Sequence, residues 1–118
     1  MKKPMKKKRD DHTVTPSSGN VYRDFGFPDA DEMLLKARVV VLIDNTIKEL
    51  GLTQKDAAKR MRIKQPDVSK MVRGHFGGFS MDRLLDFLVA LGNDVEINIR
   101  RTRKETGRLT VREYFESS

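Results

Sequence analysis

The sequence predicts a mainly α-helical domain of four to five helices, followed by a β-strand near the carboxyl end. Two observations predict this fold class. Between positions 33 and 91 apolar residues recur at spacings of three and four, which is the period of an α-helix. From position 94 to position 100 polar and apolar residues alternate strictly, which is the period of a β-strand.

Composition indicates one small core with polar tails. The chain has 118 residues, of which 37% are hydrophobic and 35% are charged. It has no cysteine and only two isolated histidines, so we expect no disulfide, no metal site and no cofactor. No apolar run approaches the roughly 20 residues that span a bilayer, and the basic start lacks the apolar region of a signal peptide. We expect a cytoplasmic protein that does not bind a membrane.

The net charge of +7 is concentrated in three blocks. Residues 1–12 carry six Lys/Arg against two Asp, residues 53–76 carry seven against two, and residues 100–118 carry six against three acidic residues. The stretches between them are acidic. A basic centre flanked by acidic segments indicates a face that binds a polyanion such as nucleic acid. The amino-terminal lysines alone are more simply explained as a solvated tail.

Two segments precede the helices. Residues 1–20 have almost no apolar side chain to offset the entropy of ordering, so we expect a flexible basic arm. Residues 21–30 form an aromatic segment that contains Tyr22, Phe25 and Phe27. Because these side chains are unfavourable in water, we expect the segment to dock on the domain or on a partner.

The predicted helix-containing domain spans residues 31–101. Its first helix is apolar on two sides. Asp29 or Asp31 is its expected cap, and Gly51 its expected end. One stripe consists of Met33, Ala37, Val40, Ile43, Ile47 and Leu50, and the second consists of Leu35, Val39 and Leu42. A helix that is apolar on two sides needs cover on both. The domain core supplies one cover; the aromatic segment, a second subunit or a partner protein must supply the other.

The second helix opens at Thr53, a favourable N-cap residue. The helical period predicts that Ala57, Ala58 and Met61 face the core and that the basic side chains face solvent. A short turn follows after Ile63.

The third helix contains Pro66. Proline costs about 3 kcal/mol inside a helix but is well placed at the first position, where its missing N–H has no intrahelical partner. We therefore expect Gln65 to be the cap, Pro66 the first helical residue, and Gly74 the residue that closes the helix after about Arg73. The core side consists of Val68, Met71 and Val72.

The fourth helix repeats these signals. Ser80 is its expected N-cap, Phe79 is placed to pack on Leu84 one turn on, and Gly92 ends it. The predicted buried stripe consists of Leu84, Leu85, Leu88 and Leu91.

The strand that follows has Val95, Ile97 and Ile99 on one side. A single strand leaves its backbone groups unpaired, so it needs a partner. One candidate is the matching strand of a second subunit. The other is the apolar cluster in the basic tail, residues 102–118, which would fold back as a hairpin; that cluster also fits a docking peptide.

Two short helices joined by a tight turn, the second opening with polar side chains, describe a helix-turn-helix. The stretch "LTQKDAAKRMRIKQPDVSKMVRG" resembles the helix-turn-helix of the lambda-repressor-like, or Xre, family. The flanks "SGNVYRDFGFPDADEMLLKA" and "FSMDRLLDFLVALGNDVEINIR" resemble one sub-branch, the HigA-type antitoxins encoded beside RelE-like toxins. The resemblance covers about residues 17–101. It implies a lambda-repressor-like DNA-binding fold, repression of the chain's own operon and a toxin partner.

A recognition helix inserts its amino-terminal end into the major groove. The expected base-reading residues are Gln65, Asp67, Ser69 and Lys70. Gln can bond adenine, Lys guanine, and Asp the amine of cytosine. The expected phosphate contacts are Gln54, Lys55, Lys64, Arg73 and His75, of which His75 is equally well explained as a loop residue. Asp67 costs affinity unless it reads a cytosine or is neutralised by Lys64 or Lys70.

The leading expectation is a sequence-specific regulator that binds double-stranded operator DNA as a homodimer. The alternative is a protein-interaction module that neutralises a RelE-like toxin. The expected partner or dimer surface consists of Tyr22, Phe25, Phe27, Leu35, Val39, Leu42, Val95, Ile97 and Ile99. We expect no enzyme and no catalytic residues: "GHFGG" lacks the Gly-Lys-Ser/Thr ending of a phosphate-binding loop, and no Ser/His/Asp arrangement stands out.

Overall fold

The computed structural model describes Gly26 and residues 29–114. The predicted basic arm, the aromatic side chains of the segment 21–30 and residues 115–118 lie outside the described residues. The described part contains four α-helices: α1 (Ala30–Glu49), α2 (Gln54–Met61), α3 (Gln65–Val72) and α4 (Met81–Ala90). This agrees with the predicted mainly α-helical class. None of these helices has the length and apolar character needed to cross a membrane.

The chain divides into two compact units. One comprises residues 36–101 and holds α2, α3, α4 and most of α1. The other comprises residues 1–35 and 102–118. Its described carboxyl-terminal part, 102–114, contains neither helix nor strand, so the second strand proposed for the tail is not formed there. Within this part the Arg112 guanidinium donates a hydrogen bond to the Tyr114 hydroxyl at 3.2 Å.

Helix α1 buries both of its apolar sides. Buried side chains are Val40, Ile43 and Ile47 of the first stripe and Leu35, Val39 and Leu42 of the second. Leu50, at the carboxyl end, is exposed. Gly51, at φ 67°, ends the helix as predicted, and the Leu52 N–H donates to the Ile47 carbonyl at 3.1 Å. Since a single chain already buries the second stripe, that stripe does not form an open surface for a partner.

Helix α2 begins as predicted. The Thr53 hydroxyl accepts a hydrogen bond from the Asp56 N–H at 3.0 Å, and Ala57, Ala58 and Met61 are buried. The helix ends at Arg62, whose φ of 60° and ψ of 42° place a non-glycine residue in the left-handed region. Helix α2 packs against α3 and α4, and so holds the compact unit together.

Helix α3 begins one residue earlier than predicted. Lys64, with extended φ and ψ of −80° and 148°, is the N-cap, Gln65 is the first helical residue and Pro66 the second. The Lys64 carbonyl accepts from the N–H groups of Asp67 at 2.9 Å and Val68 at 3.3 Å. The first N–H groups of a helix all lack an intrahelical partner, so proline sacrifices no bond at the second position either.

Helix α4 has the predicted cap and a different stripe. The Ser80 hydroxyl accepts from the Arg83 N–H at 3.4 Å and also lowers the pKa of the Asp82 carboxyl by hydrogen bonding. The buried side chains are Leu84, Phe87, Leu88 and Leu91, whereas the predicted Leu85 is half-buried. The Phe79 ring packs edge-on against Phe87, about two turns along the helix, with 5.6 Å between the ring centroids.

The predicted strand is not formed in the single chain. Residues 93–100 have no regular secondary structure, and no strand occurs anywhere in the described part of the chain. Val95, Ile97 and Ile99 are exposed. The alternation of the sequence is real, but a strand is defined by its ladder of hydrogen bonds to a neighbour. The described residues of one chain supply no such neighbour.

Candidate nucleic-acid interface

Helices α2 and α3, with the turn at residues 62–64, form a helix-turn-helix. The packing of α3 on α2 determines which face of α3 is available for binding. Val68 and Met71 are fully buried and Val72 is half-buried, so these three side chains anchor α3 to the core. The prediction that they face the core is therefore confirmed for Val68 and Met71 and holds in part for Val72.

The opposite face of α3 is polar and open to solvent. At about 3.6 residues per turn, the side chains opposite the buried pair are those of Pro66, Ser69, Lys70 and Arg73. Pro66, Lys70 and Arg73 are exposed and Ser69 is half-buried. Gln65, which is exposed, and Asp67, which is half-buried, lie on the two flanks of this face. The four predicted base-reading residues thus lie on the face and flanks of one helix, from its first residue, Gln65, to Lys70 in its last turn.

The helix-turn-helix carries a high density of exposed positive charge. All seven Lys/Arg side chains between residues 53 and 76 are exposed: Lys55, Lys59, Arg60, Arg62, Lys64, Lys70 and Arg73. Within the described part of the chain, none of them forms an ion pair. Unpaired exposed cations retain their full attraction for an anion, which is what a phosphate backbone requires. Lys59, Arg60 and Arg62 contribute to the charge of the basic centre, but the sequence pattern gives none of them an individual role.

The predicted phosphate contacts differ in accessibility. Lys55, Lys64, Arg73 and His75 are exposed, and Gln54, the first residue of α2, is half-buried. Arg73 folds back on its own helix, where its Nε–H donates to the Ser69 carbonyl at 3.2 Å. That bond leaves the other guanidinium N–H groups of Arg73 able to donate outward.

The chemistry available here is hydrogen bonding and charge. Among the described residues, no group of three or more His, Cys, Asp or Glu side chains is placed to hold a metal ion. The helix-turn-helix instead offers amide, hydroxyl and carboxylate groups on α3 together with exposed Lys and Arg side chains. These are the groups that read base edges and contact phosphates in protein–DNA complexes.

The residues of the predicted partner surface differ in their exposure to solvent. Leu35, Val39 and Leu42 are buried, and Tyr22, Phe25 and Phe27 lie outside the described residues. Val95, Ile97 and Ile99 are exposed on the segment after α4. Of this predicted set, those three are the described side chains that are open to a partner.

Comparison with known proteins places this geometry in a family. A family described as "Helix-turn-helix domain" matches residues 21–100 of the chain. A solved structure titled "Putative XRE Family Transcriptional Regulator" is similar at a TM-score of 0.62 and 39% sequence identity, over 68% of this chain and 90% of that chain. A search of the curated proteins gives no match. The match spans the described helices and the turn between α2 and α3, and the chain therefore belongs to the Xre-like helix-turn-helix family.

Proposed function

We propose that the chain is a DNA-binding transcriptional regulator that reads a double-stranded operator through α3. The observation that carries the proposal is the division of α3 into a buried face and a polar face. Val68 and Met71 hold the helix in the core, while Gln65 and Lys70 are exposed. A helix held in this way presents its amino-terminal side chains to the major groove as a rigid unit.

The side chains on α3 support sequence-specific reading. Gln65 carries an amide that can bond adenine through two contacts, and Lys70 carries an ammonium that can donate to guanine. Ser69 is compatible with several bases, and Asp67 would accept from a cytosine amine. Each good bidentate contact discriminates by roughly 1 to 3 kcal/mol. The exposed cations around the helix would supply the affinity that does not depend on sequence.

The regulator is proposed to act as a homodimer. Two copies related by a two-fold axis would place their α3 helices about 34 Å apart, in successive major grooves on one side of the duplex. An operator for such a dimer is a palindrome with half-sites about one helical turn apart. Occupancy of a promoter that contains this operator would repress transcription.

The first test selects bound sequences from a random DNA duplex library with the purified full-length chain. We expect an enriched palindrome with half-site centres about 10 base pairs apart. The Gln65→Ala, Lys70→Ala double variant should lose the enrichment. Salt-sensitive binding without any enriched motif would contradict the proposal, because it would show that α3 does not read sequence.

Lys55→Ala is the matched control. It removes one positive charge, as the double variant does, from an exposed residue near the start of α2. A phosphate contact carries no sequence information, so this variant should weaken binding to all duplexes and leave the enriched motif unchanged. If Lys55→Ala abolished the motif as completely as the double variant, loss of charge rather than loss of base reading would explain both results.

We further propose that the operon is the chain's own and that a RelE-like toxin is the protein partner. The support is the resemblance of the sequence flanks to HigA-type antitoxins, together with the aromatic side chains of the segment 21–30. Tyr22, Phe25 and Phe27 are large apolar side chains of the type that anchors protein interfaces. Toxin binding and DNA binding would then use different parts of one chain.

This second proposal is tested by co-expressing the chain with a RelE-like protein encoded beside it. The intact chain should co-purify with that protein and relieve its toxicity. A variant with Tyr22, Phe25 and Phe27 all changed to Ser should lose co-purification but still bind the operator. Unchanged co-purification, or the absence of a neighbouring gene of this type, would overturn the proposed toxin partner while leaving the DNA-binding proposal intact.

A further inference from the structure

The segment after α4 has exposed apolar side chains that increase in exposure along the chain. Val95, Ile97 and Ile99 are 36%, 78% and 92% exposed. All three are β-branched, and such residues favour strands because they pack well on a pleated surface. Their alternation with polar residues would place them on one face of a strand. In the single chain this face has no cover.

The backbone of the same segment is also unpaired. From Asp94 to Arg101, no backbone N–H or carbonyl group takes part in a hydrogen bond in the described part of the chain. An unpaired row of backbone groups beside exposed β-branched side chains is a template for pairing with another strand. The segment therefore has the side-chain pattern of a strand, and the described part of the chain provides no second strand to pair with it.

We infer that residues 94–100 pair with the same residues of a second copy of this chain, as an antiparallel two-stranded ribbon centred on Ile97. Ile97 then lies opposite its own counterpart, and Val95 lies opposite Ile99. Such a contact is isologous, which means that both copies use the same residues. Two copies therefore form a closed dimer in which neither segment remains unpaired.

Charge favours the antiparallel direction. The segment has acidic residues toward its start and basic residues at its end. In the antiparallel ribbon Asp94 lies opposite Arg100, and two-fold symmetry repeats this pair on the other side. A parallel pairing would place Asp94 opposite Asp94 and Arg100 opposite Arg100, and like charges directly opposite are destabilising.

The apolar pattern favours the register. Centring on Ile97 matches every apolar residue of the segment with another apolar residue. Centring on Asn98 instead leaves Val95 opposite Arg101, and centring on Glu96 leaves Ile99 opposite Asn93. A shift by one residue puts every apolar side chain opposite a polar one, because the side-chain period of a strand is two.

The ribbon deepens the proposed function by naming the part of the chain that would make the dimer, and it is tested without DNA. Asp94→Arg and Arg100→Asp are two single variants at exposed positions. Each alone places like charges opposite each other twice in the ribbon. Each should raise the dimer dissociation constant about tenfold or more, as measured by analytical ultracentrifugation.

Mixing the two variants provides the decisive comparison. In a heterodimer of Asp94→Arg with Arg100→Asp, position 94 of each chain lies opposite the contrary charge at position 100 of the other. The mixture should therefore recover a dimer that neither variant forms well alone. Single variants that dimerise like the unaltered chain, or a mixture no tighter than its components, would overturn the ribbon. Circular dichroism of each variant checks that the helices are intact.

A cysteine scan tests the register. The chain has no cysteine, so each variant carries a single thiol. In the ribbon, the two Cα atoms of residue 97 lie about 4.5 to 5.5 Å apart, within the range that a disulfide bridges. Those of residue 95 are displaced by four residues, about 14 Å along the strands. Ile97→Cys should oxidise to a covalent dimer and Val95→Cys should not; the reverse, or no dimer from Ile97→Cys, would contradict the inference.

The two proposals fail separately. If the ribbon is wrong but α3 reads DNA, the cross-link and the charge exchange fail while library selection still enriches a motif. If the ribbon forms but no motif is enriched, the inference about the dimer is supported and the proposal of sequence-specific DNA binding is contradicted.

Discussion

Asn93 is joined to Thr46 by a hydrogen bond in which the Asn93 Nδ2 donates to the Thr46 Oγ1 at 3.1 Å. The two residues are separated by 47 positions in the sequence, and both are half-buried. The same Nδ2 donates to the Leu88 carbonyl at 3.1 Å, and the Thr46 hydroxyl donates to the Leu42 carbonyl at 2.8 Å. This chain of bonds connects the end of α4 to α1.

We predict that Asn93→Ala lowers the free energy of unfolding by about 1 to 3 kcal/mol, because two hydrogen bonds of roughly 1 kcal/mol each are lost. The measurement is urea unfolding followed by circular dichroism. Thr46→Val keeps the shape of the side chain and removes the acceptor, so the two single changes should not be additive in the double variant. A change of less than about 0.5 kcal/mol for Asn93→Ala would show that water replaces these bonds at little cost.

Arg62 occupies the left-handed region at φ 60°. An L side chain costs roughly 1 to 2 kcal/mol there, and glycine does not, although glycine loses more entropy on folding. We expect Arg62→Gly to raise the free energy of unfolding by about 0.5 to 1 kcal/mol. Arg62→Ala keeps a Cβ atom and should give no such gain. Equal stabilisation by both variants would indicate that removal of the Arg62 charge is the cause.

Pro66 sits at the second position of α3 and its side chain is exposed. Proline there restricts the unfolded chain and breaks no bond in the folded one. Pro66→Ala should therefore lower the free energy of unfolding by about 0.4 to 1 kcal/mol. The neighbouring change Gln65→Ala is the control and should stay within about 0.5 kcal/mol of the unaltered chain. If Pro66→Ala were stabilising, the proline would be straining the start of α3.

The basic arm should contribute salt-dependent affinity. Residues 1–12 carry six Lys/Arg against two Asp. Each phosphate that the arm neutralises adds about 0.9 to the slope of log affinity against log salt concentration. We expect deletion of residues 1–12 to reduce this slope, measured by fluorescence anisotropy at several salt concentrations, and to leave the enriched sequence unchanged. An altered enriched sequence would show that the arm itself reads DNA.

The helices and their ends follow from signals within a few residues of each other. Thr53 and Ser80 cap the N–H groups three residues on, and Gly51 ends α1 at a positive φ. Each of these interactions closes within one turn of chain. The sequence therefore predicted the four helices, with an error of one residue at the start of α3. The open face of α3 was predictable for the same reason, since helical period and the apolar positions identify the buried side.

Other features depend on parts of the chain that are distant in sequence. The second apolar stripe of α1 predicted a cover from the aromatic segment, a second subunit or a partner protein, and Val39 and Leu42 are already buried in the single chain. The bond between Asn93 and Thr46 joins residues 47 positions apart and has no local signature. The segment around Ile97 has the pattern of a strand without a ladder, because a helix satisfies its backbone internally whereas a strand needs a second one beside it. Local interactions thus specify the helices of this protein, while packing between distant residues specifies which apolar faces are covered and which remain open.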